Sequence, residues 1–322
     1  MKIAVLLGGS SPERDVSLDS GKNIAEALRI NGHQVLEIDP SLPTKQLLTD
    51  LNISLDEGKI LEKESGLYGN IFLLKQLDVD LVFNGLHGGD GENGVIQTLL
   101  ETLNIKFTGS GSMACMQSMD KEISKMLLLQ NGLPTANFVT IKNETDEFDL
   151  SGLSFPVIVK PADGGSSLGH TILADNAKIQ TAIKFAFEYG EKVLIEEFIS
   201  GKEIAAGVLD GKPLPLVHIK PTHEMYDYEC KYTPGMSSYE VPAQLDHKST
   251  NLIQEYACKM YKLLGCSGYT RIDFIVSKEN RLHILEANTL PGMTSTSLFP
   301  KAAKEAGYPF EELIEKIVQD AI

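Results

Sequence analysis

Four side chains near the C-terminus combine two carboxylates, an amide and a guanidinium at a spacing that suits phosphate chemistry. They are Arg271, Asp273, Glu286 and Asn288. The runs that carry them, 269–276 and 281–288, predict two strands joined by a short polar turn. Because side chains alternate between the two faces of a strand, Asp273 and Glu286 lie opposite or diagonal to each other if the strands pair.

Two carboxylates that close repel each other unless a cation neutralises them. An all-oxygen set of Asp, Glu and Asn suits a hard cation such as Mg²⁺, which keeps waters and takes phosphate oxygens as its remaining ligands. The pattern therefore predicts a site for phosphate chemistry. The alternative is a solvated hairpin whose polar residues face water.

A lysine followed by a loop rich in glycine and serine is a second candidate phosphate contact. Lys160 ends the apolar run 156–160, and the loop 163–169 follows it. Glycines let backbone N–H groups approach phosphate oxygens, serines donate further hydrogen bonds, and the lysine supplies charge. The GxxxxGK[ST] order of a P-loop is absent. The alternative is an ordinary hairpin turn with a solvated lysine.

The loop 8–13 follows the first predicted strand but does not complete the GxGxxG motif of a dinucleotide site. Glu13 in this loop would also repel a pyrophosphate. Asp39 ends the second predicted strand, where a ribose-binding acid could lie, so a dehydrogenase stays open as an alternative. Glu13 better suits a cationic group such as a substrate ammonium, and its other interpretation is a surface acid near a helix N-terminus.

The loop 87–94 places His87 among glycines, after one predicted strand and before a helix. Ligands of open α/β sheets bind beyond the carboxyl ends of parallel strands. The Glu13 and His87 loops should therefore border one crevice. A structural role for this histidine is the alternative.

The elements that must position these loops alternate between strand and helix. Residues 3–39 predict a βαβ unit, with Ser17 to Ser20 as helix N-caps and Gly32 as the helix end. Further elements are predicted as a helix near 70–77, a strand at 80–84 and a helix near 94–103. This alternation predicts a doubly wound parallel sheet. Residues 40–66 give no clear pattern.

A helix over 119–131, closed by Gly132 and Pro134, indicates a domain boundary. Beyond it the pattern predicts an antiparallel α+β arrangement. Its strands are predicted at 155–161, 168–173, 192–198, 203–211 and 213–220, with helices at about 175–188 and 247–264. The Asp210-Gly211 pair predicts a hairpin turn. The polar loop 221–243 is long enough to be either functional, for example as a lid, or disordered.

Composition narrows the classes of function. The chain has 322 residues, of which 42% are hydrophobic, enough for two or three domains with a well-buried core. Its net charge is 29 − 44 = −15, which argues against a nucleic-acid surface because phosphate backbones require clustered Lys and Arg. Four cysteines without a CxxC pair indicate neither a zinc site nor a disulfide framework. No run approaches transmembrane length and the first apolar run is too short for a signal peptide, so we expect a soluble cytoplasmic protein.

Seven motifs, taken in order, resemble the D-alanine–D-alanine ligases, a family of ATP-grasp enzymes. They are LLGGSSPERDVSLDSG, LHGGDGENG, TGSGSMACMQSMDKEISK, FPVIVKPADGGSSLG, YDYECKY, GYTRIDF and LEANTLPGMTSTSLFP. The resemblance runs in register from about residue 3 to 315. It implies an N-terminal α/β substrate-binding domain over 1–118, a central ATP-grasp subdomain over 119–200 and a catalytic ATP-grasp subdomain over 201–322.

The resemblance also implies a role for each candidate residue. The residues implied to hold ATP are Lys121, Lys160, Ser167, Glu196, Glu197, Ile199, Glu203 and Lys231. The implied ligands of two Mg²⁺ ions, or of Mn²⁺, are Asp273, Glu286 and Asn288. The groups implied around the two D-alanines and the transferred phosphate are Glu13, His87, Arg271, Gly292, Ser297 and Leu298. A hydrogen-bonded triad implied to close the site consists of Glu13, Ser166 and Tyr232.

The implied activity is ATP-dependent ligation of two D-alanines through an acyl phosphate, for peptidoglycan precursor synthesis. The resemblance implies a homodimer, and we expect no nucleic-acid or membrane partner. One alternative is another ATP-grasp carboxylate–amine ligase, including a D-alanine–D-lactate ligase, which the lid sequence around Lys231 and Tyr232 would distinguish. A nucleotide-binding regulator without turnover is the other, and the full set of acids and lysines argues against it.

Overall fold

The first third of the chain forms a three-stranded parallel sheet in the order β2-β1-β3. The computed structural model describes residues 1–52, 66–223, 230, 233, 235–294 and 297–322. The strands are β1 (Lys2–Leu6), β2 (Gln34–Ile38) and β3 (Leu81–Asn84). The helices of this segment are α1 (Arg14–Ile30), α2 (Thr44–Asp50), α3 (Leu67–Gln76) and α4 (Val95–Thr102).

Helices cover both faces of this sheet. Ile3 and Val5 share one apolar core with Ile24 and Leu28 of α1. Ala4, on the opposite face of β1, belongs to a second core with the apolar side chains of α3 and α4. The predicted βαβ unit and the doubly wound parallel sheet are confirmed.

The helix N-caps predicted at Ser17 to Ser20 are wrong, because α1 already begins at Arg14. Both serines are buried inside the helix and make tertiary contacts instead. Ser17 Oγ donates to the carbonyl oxygen of Gly85 at 2.9 Å, and Ser20 Oγ lies 2.9 Å from His87 Nε2. The hydroxyls therefore join α1 to the loop after β3 rather than capping the helix.

The middle of the chain forms a four-stranded antiparallel sheet in the order β4-β7-β5-β6. Its strands are β4 (Phe138–Ile141), β5 (Val157–Pro161), β6 (Thr171–Leu173) and β7 (Val193–Glu197). The helices α5 (Ser112–Met119) and α6 (Lys121–Gln130) precede it, and α7 (Ile179–Phe187) shares its core. The sequence patterns did not predict α5 or β4.

The last third forms a six-stranded sheet in the order β11-β10-β8-β12-β13, with β9 beside β8. Its strands are β8 (Gly201–Leu209), β9 (Lys212–Pro213), β10 (Val217–Pro221), β11 (Ser237–Glu240), β12 (Tyr269–Ser277) and β13 (Leu282–Asn288). Its helices are α8 (His247–Leu263), α9 (Leu298–Glu305) and α10 (Phe310–Asp320). The predicted hairpin turn at Asp210-Gly211 joins β8 to β9, with both residues at positive φ.

Part of the predicted loop 221–243 is a strand. β11 pairs with β10 at the edge of the six-stranded sheet, with Ile219 opposite Tyr239. Residues 224–229, 231–232 and 234 of this loop lie outside the described residues. The prediction of an antiparallel α+β arrangement is confirmed, and each sheet falls within one of the three predicted segments, whose domain boundaries stay a prediction. Among the described helices, none has the length and apolar character needed to cross a membrane.

Candidate active site

The hairpin of β12 and β13 brings the predicted metal ligands together. Asp273 stands opposite Glu286 and Arg271 opposite Asn288, as the alternation of side chains predicted. The register shifts between Asp273 and Phe274, so the strands bulge beside the paired carboxylates. One face of the hairpin therefore presents two carboxylates, an amide and a guanidinium.

A cation neutralises each of the two carboxylates. Arg271 donates Nε and a terminal nitrogen to the two oxygens of Asp273 at 2.8 and 2.7 Å. Lys121, the first residue of α6, places Nζ 3.3 Å from Glu286 Oε2 and donates to the carbonyl of Gly164 at 2.5 Å. The hairpin itself thus supplies the cation for Asp273, and the N-terminus of α6 supplies the cation for Glu286.

The donor chemistry of this face fits a hard cation. Two carboxylates and the Asn288 amide offer only oxygen ligands, and the side chains of Asp273 and Glu286 keep 15% and 31% of their surface exposed. Within the described ranges, no group of three or more His, Cys, Asp or Glu side chains is arranged to hold a metal. An ion here would need further oxygens from phosphate or water, as Mg²⁺ does in phosphate-transfer sites.

One lysine and one acid among the residues predicted to hold the nucleotide contact each other. Lys160 Nζ pairs with Glu196 Oε1, because the two residues lie on one face of the β5–β7 pair. Lys125 of α6 approaches the other oxygen of Glu196 at 2.9 Å. Burial raises the pKa of Glu196, but the two lysines outweigh it and lower this pKa to about 2. Burial lowers the pKa of Lys125 against the attraction of Glu196.

The loop after β5 reaches the N-terminal segment. Ser166 and Ser167 both adopt left-handed backbone, with φ of 52° and 59°. Ser166 Oγ donates to Glu13 Oε1, so this loop touches the loop that follows β1. Two members of the predicted triad are therefore in contact, while Tyr232, like Lys231, lies outside the described residues.

The Glu13 and His87 loops border one crevice, as predicted. Ser11 Oγ donates to the carbonyl oxygen of His87 at 2.5 Å. His87 is 6% exposed, and its Nδ1 lies 3.8 Å from Glu92 Oε1. Burial raises the pKa of Glu92, with Glu13 adding to the rise and His87 opposing it. This corner of the crevice therefore holds two acids close to a histidine.

The carboxylate of Asp39, the candidate ribose-binding acid, is hydrogen-bonded by protein donors. It is 6% exposed, and its carboxylate accepts from Arg14 at 2.5 Å and from the Ser41 hydroxyl at 2.7 Å. Burial raises the pKa of Asp39, but these hydrogen bonds lower it further than burial raises it. The dehydrogenase alternative depended on Asp39, and this structural role of its carboxylate argues against that alternative.

The turn before α9 closes the far end of the crevice. A Cβ on Gly292 would stand 2.8 Å from Ser297 Oγ, so the two residues are in close contact. Ser297 Oγ accepts from the Thr294 amide at 3.1 Å, and Leu298 begins α9. A helix N-terminus is a favourable place for a carboxylate, because its backbone N–H groups and dipole favour negative charge.

A cavity of about 500 Å³ joins these parts. The predicted site residues in its wall are Glu13, His87, Lys121, Ser166, Arg271, Glu286, Asn288, Gly292, Ser297 and Leu298. Other predicted residues do not line it, namely Lys160, Ser167, Glu196, Glu197, Ile199, Glu203 and Asp273. Glu197 accepts from the Ser154 amide at 2.9 Å and from Asn137 Nδ2 at 3.2 Å, so protein donors hold its carboxylate. The substrate candidates thus share one cavity with Lys121, Glu286 and Asn288, whereas Asp273 and the other described nucleotide candidates do not line it.

Family models match nearly the whole chain. The model described as D-ala D-ala ligase N-terminus matches residues 2–110, and that described as D-ala D-ala ligase C-terminus matches residues 127–319. The chain belongs to the D-alanine–D-alanine ligase family. The resemblance stated from the motifs is confirmed.

Individual relatives agree with the family models. The D-alanine–D-alanine ligase of Halalkalibacterium halodurans is 41% identical over 99% of this chain and 98% of its own length. That of Aquifex aeolicus is 38% identical over 99% of this chain and 100% of its own length. A crystal structure of the Bacillus anthracis ligase complexed with ATP matches at a TM-score of 0.81 and 30% identity, covering 100% of this chain and 97% of that one. The predicted class, an ATP-dependent ligase, is confirmed.

The sequence patterns missed several residues of this ligase-family site. Asp15, Asp19, Glu92 and Tyr239 line the cavity, and Lys125 is buried behind it. Asp15 and Asp19 are four residues apart on α1, a spacing that signals a shared helix face once Glu13 is known to border the site. Glu92 lies in the same glycine-rich loop as His87, which was the available signal for it. No local pattern marks Lys125, whose partners are distant in sequence.

Proposed function

We propose that this chain uses ATP to join two D-alanines into D-alanyl-D-alanine, for peptidoglycan precursor synthesis. The observation that carries the proposal is the shared cavity of about 500 Å³. One end presents Glu13 for an ammonium, and the other presents Lys121 and Arg271 beside the paired carboxylates for a phosphoryl group. A carboxylate–amine ligase requires amine recognition and phosphate chemistry in one cavity.

The reaction has two bond-forming steps. A carboxylate is a poor electrophile, so one of its oxygens first attacks the γ-phosphorus of ATP. The bond from this phosphorus to the β–γ bridging oxygen breaks, ADP leaves, and an acyl phosphate remains. The amine of the second D-alanine then attacks the acyl carbon, phosphate leaves, and the nitrogen loses a proton. The protein contributes positioning, charge neutralisation and exclusion of water, because water would hydrolyse the acyl phosphate.

Substrate positions follow from the cavity wall. Glu13, held by Ser166, would accept the ammonium of the first D-alanine, with His87 near its carboxylate. The carboxylate of the second D-alanine would lie against Ser297 and Leu298 at the N-terminus of α9. Arg271 and the backbone of Gly292 would stabilise the oxyanion, and Tyr232 would complete the triad with Glu13 and Ser166.

The nucleotide groups form the other half of the proposal. Lys121 and Lys160 would contact the α- and β-phosphates, with Ser167 in the loop above them and Lys231 on the γ-phosphate. Glu196, Glu197 and Ile199 would hold the adenine, and Glu203 the ribose. Asp273, Glu286 and Asn288 would hold two Mg²⁺ ions, or Mn²⁺, which supply neutralisation of phosphate charge when bound. Lys121 and Arg271 neutralise these carboxylates in the structure and lie in the cavity wall, within reach of an incoming phosphate.

We propose that the enzyme acts in the cytoplasm, where ATP is available.

We also propose a homodimer that forms through an exposed apolar surface of the N-terminal segment. Tyr68 and Phe72 of α3 are 67% and 43% exposed, and Met113 and Met116 of α5 are 66% and 44% exposed. The helix α4 contacts both α3 and α5, so the four side chains belong to neighbouring elements. Exposed apolar patches of this kind are typical of protein–protein contacts.

The decisive experiment measures phosphate release from ATP across a panel of D- and L-amino acids and D-lactate, with mass analysis of the product. Release that depends on D-alanine and yields D-alanyl-D-alanine supports the proposal. If D-alanyl-D-lactate predominates, the acceptor is D-lactate rather than D-alanine, and the proposed use of ATP still holds. ATP binding without turnover on any acceptor would support a regulator instead.

A further inference from the structure

One buried carboxylate in the nucleotide half of the protein is shared between two ammonium groups. Glu196 is 3% exposed and is approached by Lys160 on one oxygen and by Lys125, at 2.9 Å, on the other. Lys125 is itself 1% exposed. Its Nζ donates to Thr135 Oγ1 at 2.6 Å and stands 5.2 Å from the centre of the Phe138 ring. Lys125 is therefore held from several directions.

The contacts of Lys125 continue to the catalytic hairpin. Thr135 Oγ1 donates to the carbonyl oxygen of Ile284 at 3.0 Å, and the Ile284 amide donates to the carbonyl oxygen of Pro134 at 2.8 Å. Ile284 lies on β13, two residues before Glu286. The lysine thus connects Glu196 on β7 with the strand that carries the candidate metal ligands.

The two lysines differ in what they can do when ATP binds. Lys160 lies next to the end of β5, where the serine- and glycine-rich loop begins, and the proposed function takes its ammonium to a phosphate. Lys125, by contrast, is buried and enclosed by Thr135 and Phe138. If Lys160 were the sole counter-ion, its departure would leave a buried carboxylate unpaired, which is strongly unfavourable.

We propose that Lys125 is a positioning residue for ATP: it remains on Glu196 as a fixed counter-ion and so allows Lys160 to leave that carboxylate for the phosphates. The inference rests on the proposed function, in which Lys160 binds a phosphate and Glu196 holds the adenine. A carboxylate that stays ionised and fixed can accept a hydrogen bond from the adenine amino group. The direction of the Glu196 pKa, well below its usual range, agrees with this.

The test compares the dissociation constant of Mg²⁺·ATP by calorimetry in the full-length protein and in Lys125→Met. Without Lys125, Glu196 retains Lys160, and the dissociation constant rises roughly 10- to 100-fold, as expected for a charged hydrogen bond. The KM for ATP rises in parallel, while kcat and the KM for D-alanine change little. Lys125→Arg restores most of the affinity. The matched control is Lys259→Met, an exposed lysine of α8 paired with Glu255.

A second background separates positioning from general damage to the fold. In Glu196→Gln no carboxylate retains Lys160, so adding Lys125→Met changes the dissociation constant little. An equal loss on both backgrounds, or no loss in Lys125→Met, overturns the inference. If Lys125→Met does not fold by circular dichroism, Lys125→Gln removes the charge beside Glu196 while keeping a donor for Thr135 Oγ1, and an unchanged dissociation constant in that variant overturns the inference equally.

A third variant tests the premise by itself. Lys160→Met should weaken Mg²⁺·ATP binding if Lys160 contacts a phosphate. Unchanged binding in Lys160→Met refutes the proposed role of Lys160 and with it the premise of the inference. Weakened binding in Lys160→Met combined with normal binding in Lys125→Met refutes the inference alone and leaves the proposed function standing.

Discussion

Replacing Glu286 by glutamine should abolish most turnover while leaving the fold intact. Glu286 faces Asp273 across the hairpin, and its Oε2 lies 3.3 Å from Lys121 Nζ. The substitution keeps the size of the side chain but removes its charge, so a cation bound on this face of the hairpin would lose a carboxylate ligand. Loss of one such electrostatic contact lowers turnover by roughly 100-fold or more.

The free energy of unfolding should change little, because the substitution has two small effects of opposite sign. Glu286 keeps 31% of its side chain exposed, so its ion pair with Lys121 contributes at most about 1 kcal/mol to the free energy of unfolding. Removing its charge also removes repulsion between Glu286 and Asp273, which offsets part of that loss. The net change in the free energy of unfolding should therefore stay within about 1 kcal/mol.

The assay is phosphate release from ATP with saturating D-alanine over a wide range of Mg²⁺, together with chemical denaturation of each variant. Glu305→Gln, an exposed acid at the end of α9, is the matched control and should behave as the unmodified chain. Glu286→Gln that folds and keeps near-normal turnover at saturating Mg²⁺ would refute the assignment of a metal to this hairpin.

Three further predictions use other parts of the site. Gly292→Ala should raise the KM for D-alanine about tenfold or more without unfolding the protein, because its Cβ would displace Ser297 Oγ, 2.8 Å away; an unchanged KM contradicts the proposed acceptor site. Although burial raises the pKa of Glu196, Lys160 and Lys125 lower it to about 2, below its unfolded value of about 4.3, so its contribution is present above pH ~4.3 and is lost as the pH falls toward 2. Between these pH values the free energy of unfolding should therefore fall by about 3 kcal/mol less in Glu196→Gln than in the unmodified chain, and an equal fall in both proteins refutes the paired state. Dipeptide formation should rise from about pH 6 to 9, because the acceptor ammonium must lose its proton before attack; D-alanyl-D-lactate as the main product of a competition at both pH 6 and pH 8 contradicts an amine acceptor.

Local patterns were sufficient where the side chains involved share one element or one hairpin. The alternation of residues in 269–276 and 281–288 predicted that Asp273 would face Glu286, and the register confirms it. The alternation of strands and helices before residue 118 predicted a parallel sheet, because few connections are compatible with that order. These features depend on spacing along the chain, which a sequence displays directly.

Contacts between distant elements could not be predicted in the same way. Lys121 meets Glu286 on β13, and Lys125 meets Glu196 on β7, only because the fold brings α6 close to both strands. In the sequence both lysines belong to a helix of mixed polarity and carry no sign of burial. The strand β11 was missed for a related reason, since an edge strand is paired on one side and needs little apolar character.

Three carboxylates of the candidate site are paired with cations of the protein. Asp273 pairs with Arg271 and Glu286 with Lys121, and Glu196 is shared by Lys160 and Lys125. ATP carries a charge of roughly −4, which two Mg²⁺ ions would balance. ATP and both ions together could therefore bind without changing the net charge of the site. Asp273 and Glu286 would then hold the cations, and Lys121 and Arg271 would contact phosphate oxygens instead of these carboxylates. Without metal, the phosphates of ATP would face the hairpin carboxylates directly, and the like charges would repel each other. The protein can therefore keep its charged groups paired without ligand and still present them to the nucleotide.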